Sequence, residues 1–177
     1  MKKLIALLMM VCLAVMPFAA FAEAASDDAV TINWEDVSAF TEGVEGDFWK
    51  NEDLGLKFWL PAGFQEVALS DEQSAQGIMN IYATEDDSAA IAVAYNDIAG
   101  DFDAFLNQMA ENGATEFEAA VINGLYGVSF TMKESDTAVV AFPTEAGAVL
   151  TYTIAPVSNE VIATALAVIL ASIQPAE

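Results

Sequence analysis

Between Thr115 and Ile154 four apolar stretches follow one another with little chain between them: Thr115–Ile122, Leu125–Met132, Thr137–Phe142 and Ala148–Ile154. The connections are Asn123-Gly124, Lys133–Asp136 and Pro143–Gly147. A parallel crossover needs a dozen or more residues, so neighbours joined this closely must run antiparallel. Asn-Gly is a strong hairpin signal, because both residues accept the positive φ of a two-residue turn. This segment therefore commits the chain to a meander of antiparallel strands.

The flanking sequence supplies more strands and the helices to cover them. Leu54, Leu56, Phe58 and Leu60 alternate with other residues and fall on one face of a strand that Pro61 ends. The segment around Phe48-Trp49-Lys50 can pair with it through Asn51-Glu52-Asp53 as a hairpin. Ser70 and Gln73 have the spacing of a capping box, which opens a short helical turn closed by Gly77. Ile78–Thr84 and Ala89–Tyr95 read as two strands joined by Glu85-Asp86-Asp87-Ser88. The second is apolar on both faces, and its Ala90, Ala92 and Ala94 side implies a helix lying close above it.

Asp101 is placed to cap a helix with Phe102, Phe105, Leu106 and Met109 on one side, stopped at Gly113. A shorter helix is expected after Asn33, with Trp34, Val37 and Phe40 on one side and Gly43 at its end. A last helix is expected after a Ser158 cap, its broad apolar face made of Val161, Ile162, Ala165, Leu166, Ile169, Leu170 and Ile173. Consecutive strands with helices on their faces make an α+β sandwich: an antiparallel β-sheet flanked by helices.

The N-terminus reads differently. Lys2 and Lys3 precede an uncharged apolar run, Leu4 to Phe18, and Ala20-Phe21-Ala22 fits a small-residue cleavage site. That is the three-part pattern of a bacterial secretory signal peptide over residues 1–22. Cys12 lies inside the apolar run behind Val11, without the small preceding residue a lipoprotein signal wants. The expected product is secreted or extracytoplasmic: a flexible linker, residues 23–33, and one α+β domain, residues 34–177. It holds no cysteine, so its stability must come from its core.

Charge narrows the function. Residues 23–177 carry all 27 acids but only Lys50, Lys57 and Lys133, and the chain has no arginine and no histidine. Such a surface repels phosphate backbones and anionic membranes, which excludes nucleic acid and anionic lipid as partners. Without histidine, arginine or a mature cysteine there is no Ser-His-Asp or Cys-His constellation, no imidazole ligand and no guanidinium clamp. A lysine among acids keeps its charge, so Lys57 and Lys133 are poor nucleophiles.

The element order, with Gly55-Leu56-Lys57-Phe58-Trp59-Leu60-Pro61-Ala62-Gly63-Phe64 in its opening hairpin, resembles the PsbP/Mog1-like family. There a glycine and an apolar strand run into a proline and then an aromatic. The likeness covers residues 48–173 as architecture and this stretch alone as residues. Its members serve unrelated roles, so the resemblance implies a non-catalytic α+β sandwich and brings over no functional residue.

Three sets of residues are candidates. Glu85, Asp86 and Asp87 could hold Ca²⁺ on a tight loop, yet they lack the alternating spacing and distant glutamate of a calcium loop and equally suit a solvated hairpin tip. Asp97, Asp101 and Asp103 could do the same around a helix start, where acids also simply favour the helix dipole. Trp49 and Trp59 point away from the apolar face of their hairpin, either as an exposed binding pair or as core beneath a helix. The sequence thus points to a secreted, non-enzymatic interaction domain with no cofactor, whose partner is a protein or a cell-envelope component. A calcium-binding extracellular domain is the alternative, and a glycan hydrolase using carboxylates alone comes third.

Overall fold

The structure, a computed structural model, describes residues 29–52, 54–98, 100–144 and 146–176. The expected leader, residues 1–22, lies outside them. The chain begins with β1 (Val30–Ile32), α1 (Trp34–Val37), β2 (Gly46–Asn51), β3 (Leu56–Pro61), β4 (Phe64–Val67), α2 (Asp71–Ala75) and β5 (Ile78–Thr84). It continues through β6 (Ala90–Asp97), α3 (Phe102–Glu111), β7 (Ala114–Ile122), β8 (Leu125–Met132), β9 (Thr137–Pro143) and β10 (Ala148–Ala155). It ends with α4 (Glu160–Ala171) and β11 (Gln174–Pro175).

The meander closes as its turns dictate. β7 to β10 pair antiparallel in sequence order, and Asn123 and Gly124 both take positive φ, 49° and 84°, between β7 and β8. The large sheet has the order β1-β7-β8-β9-β10-β6-β5-β4, and a second sheet has the order β11-β3-β2. The fold is the expected α+β sandwich, with the opening hairpin as a layer of its own.

One face of the large sheet presents Tyr82, Ile91, Val93, Phe142, Tyr152 and Ile154 to a core completed by Phe58, Trp59 and Leu60 of β3 and by Leu166, Ile169, Leu170 and Ile173 of the α4 segment. The opposite face gathers Val128, Phe130, Val139, Ala141 and Val149 beside Leu106, with Phe102, Phe105 and Met109 of α3 packed against them. Cover on both sides is why these strands are apolar on both sides. Each large side chain so buried contributes about 1.5–3 kcal/mol by leaving water.

Several expectations are corrected. Val30–Ile32, placed in the flexible linker 23–33, is a strand, and it pairs parallel with Ala120–Ile122 at the edge of an otherwise antiparallel sheet. The last helix is capped by Asn159, whose carboxamide oxygen accepts from the backbone of Val161 and Ile162. Ser158 is instead held by the Asp136 carboxylate, which accepts its hydroxyl at 2.6 Å and its N–H at 2.8 Å. Val161 is 79% exposed and Ala165 is exposed, so the buried face of α4 is narrower than its composition suggests. Ala90, Ala92 and Ala94 stay half-buried on the sheet face where α3 packs, the face they share with Val149.

Two polar side chains join the layers. Ser172, fully buried, accepts from the Trp59 N–H at 2.7 Å and donates to the Ile169 carbonyl at 2.6 Å, fixing the end of α4 to β3. Asn123 accepts from the Trp34 N–H at 2.6 Å and donates to the carbonyls of Ala171 and Ile173 at 2.9 and 2.7 Å.

Candidate functional site

β2 and β4 are edge strands of different sheets, and an open groove of about 450 Å³ lies between them. Phe48, Trp49, Pro61, Phe64, Glu66 and Tyr82 are among the residues that line it. The hairpin register sets which aromatic faces the groove. Trp49 is paired with Phe58 and Phe48 with Trp59, so Trp49 and Trp59 project from opposite faces.

Trp49 is 40% exposed and meets the Tyr82 ring edge-on, with centroids 5.2 Å apart. Tyr82 continues to Phe58 at 5.6 Å, Phe58 to Tyr152 at 5.6 Å and Tyr152 to Phe142 at 6.2 Å, all edge-to-face. Edge-to-face pairs add about 0.5–1.5 kcal/mol beyond burial, so the groove wall is anchored to the core through rings that cannot easily turn. Trp59, by contrast, is buried with Trp34 at 6.4 Å. It lies so close to Gly46 that a Cβ there would stand 2.5 Å from its indole. The expected pair of exposed tryptophans is therefore one groove residue, Trp49, and one core residue, Trp59.

The polar side of the groove comes from β4 and β5. Glu66 stands opposite Tyr82 in their register. Its Oε1 accepts from the Asn80 amide at 2.8 Å, and Asn80 is reached in turn by the Asn51 amide at 3.4 Å, a marginal bond. Tyr82 is 1% exposed, and its hydroxyl makes no hydrogen bond of good geometry, although the Trp49 indole N–H is close enough to act on it electrostatically. Burial, reinforced by the Glu66 carboxylate, pushes this phenol well above its ordinary pKa, with the Trp49 donor acting weakly against. The phenol is therefore neutral, and its hydroxyl lacks a well-formed hydrogen bond. Leaving such a group buried costs about 1–3 kcal/mol, which makes it informative about ligands.

The acidic candidates do not come together. Among the described residues no three acidic side chains converge where one metal ion could be held. Asp86 accepts from the Ser88 N–H at 3.1 Å, and hydrogen bonds from Ser88 and Thr84 hold its carboxyl below its ordinary pKa; Glu85 and Asp87 are exposed on the same tip. Asp101 accepts from the Ala104 N–H at 2.9 Å as the cap of α3, with exposed Asp103 in its first turn and exposed Asp97 ending β6. Each cluster has the geometry of a turn or a helix start. Glu118, whose carboxyl burial raises, sits on β7 and does not line the groove.

Sequence reasoning found Trp49 and missed Tyr82 and Glu66. Glu66 lies on a four-residue strand too short to show a period, and Tyr82 looks like any core aromatic in β5. Their meeting depends on β4 folding back onto β5, with no local mark in either segment.

No family model matches the sequence, and a comparison with curated proteins returns no match. Solved structures do match. The solution structure of cyanobacterial PsbP (CyanoP) from Synechocystis sp. PCC 6803 is similar over 75% of this chain and 93% of its own, at 12% identity and a TM-score of 0.53. The fold is PsbP/Mog1-like. The Saccharomyces cerevisiae Ran-binding protein Mog1p is also similar, over 76% of this chain and 97% of its own, at 13% identity and a TM-score of 0.45. At such identities the likeness describes the PsbP/Mog1-like backbone and leaves the groove to be argued from its own residues.

Proposed function

We propose that this protein is an extracytoplasmic, non-enzymatic domain that binds a protein or cell-envelope component through the groove between β2 and β4. The observation that carries the reading is the buried Tyr82 hydroxyl, without a hydrogen bond of good geometry beside the half-exposed Trp49 ring. A concave aromatic wall with a few convergent polar groups is the usual form of a ligand site. The leader-like residues 1–22 support export, and the lack of histidine and arginine supports a binding role over a catalytic one.

The hydroxyl separates a functional role from a structural one. Tyr82→Phe removes a polar group that makes no hydrogen bond of good geometry within the fold. Thermal melts of the variant should show stability unchanged or raised by about 1 kcal/mol. A loss of several kcal/mol would mean that the hydroxyl serves the core. A fragment screen read by amide and indole NMR should converge on residues 46–49 and 82. Hits that avoid the groove, or a turnover lost on mutating one carboxylate, would overturn the reading.

A further inference from the structure

We infer that the groove takes a guanidinium group, the arginine side chain of a basic partner protein. This deepens the proposed binding role and rests on it. The groove offers a stacking surface, a carboxylate and a phenol oxygen without a well-formed hydrogen bond within one small space. Trp49 presents its ring at the edge of β2, and indole is the strongest of the side-chain cation–π partners. Glu66 spends Oε1 on Asn80 and leaves Oε2 for a ligand. The Tyr82 hydroxyl, beside the Trp49 indole N–H, makes no hydrogen bond of good geometry. A guanidinium is the complement of this set: planar enough to stack, always charged, and made only of donors, five N–H groups in a fixed fork. An ammonium is a compact point charge and cannot stack in the same way.

The surrounding charge favours a cation, even with Lys57 Nζ 5.5 Å from the centroid of Phe48. Residues 23–177 carry 27 acids against three lysines, a field that draws basic partners towards the surface and orients them. The chain has no arginine, so a second copy cannot supply the group.

The test uses three capped peptides in near-physiological salt, alike except for a central arginine, lysine or citrulline. Citrulline keeps the shape and removes the charge. The purified protein is titrated with each while the Trp49 indole and Tyr82 amide resonances are followed. The arginine peptide should move both and bind roughly tenfold more tightly than the citrulline peptide, with lysine between. Glu66→Gln and Trp49→Ala should each weaken it roughly threefold to tenfold. Asp71→Asn, an exposed acid on α2, should leave it unchanged. Equal binding of arginine and citrulline would overturn the inference and leave the groove a binding site. So would arginine binding that Asp71→Asn weakens as much as Glu66→Gln, since the acids would then act only collectively. If neutral fragments move Trp49 and the arginine peptide does not, the cation inference alone falls. If neither moves it, the groove reading falls as well.

Discussion

At position 123 one carboxamide serves three parts of the chain: it takes the N–H of Trp34 and gives its own two N–H donors to the carbonyls of Ala171 and Ile173. The partners fix which end of the amide is oxygen, because an N–H needs an acceptor and a carbonyl needs a donor. Asn123→Ala would strand three backbone groups at a half-buried position, and we expect equilibrium unfolding to show a loss of about 2–4 kcal/mol. From sequence, Asn123-Gly124 is legible as a turn and nothing more. The three partners lie 89, 48 and 50 residues away, so no local pattern could name them. Tyr82 makes the same point from the other side. Its burial follows from alternation in β5, but a hydroxyl without a well-formed hydrogen bond is visible only once its neighbours are placed.

Helix ends were legible where one side chain decides them. Ser70 and Gln73 form both halves of the expected capping box, and Asp101 caps α3 as its spacing implies. Asp101→Ala should cost about 1 kcal/mol, the usual worth of such a cap. The loss should be the same in EDTA and in calcium when followed by thermal or chemical melts. A loss appearing only in calcium would return Asp101 to the role of a metal ligand. Where two cap residues are adjacent, tertiary contacts choose: Ser158 is taken by Asp136, and Asn159 caps α4 instead. Short strands were not legible at all. β1, β4 and β11 have three, four and two residues, fewer than a period needs to show itself. β1 and β11 are held by longer neighbours, β7 and β3. The alanines of β6 lie on the sheet face where α3 packs, a side that small residues leave open to close cover.

For the molecule as a whole, charge opposes compactness. Among the described residues one ion pair appears, Lys133 with Glu116 at 3.5 Å, and both side chains are largely exposed. A pair of that kind is worth at most about 1 kcal/mol and does little against the surplus of acids. The melting temperature should therefore rise between about 0.01 M and about 1 M NaCl, as the screening length falls from about 30 Å to about 3 Å. Calcium and magnesium at matched ionic strength should stabilise alike. A specific calcium site filled at a hundred times its Kd would add about 2.7 kcal/mol more, so an excess of that size in calcium alone would make the acidic loops a metal site.

By itself the sequence determined the α+β class, the meander from β7 to β10, the place of the main helices and the burial of most of the core. These rest on periodicity, turn residues and caps, which act over a few neighbouring residues. Only the tertiary structure decided that β2 and β3 join β11 in a second sheet, that Trp49 and Trp59 part company, and that Glu66 meets Tyr82 beneath Trp49. Those outcomes depend on which layers stack and in what register, free energies summed over residues far apart in the chain, and no single segment carries them.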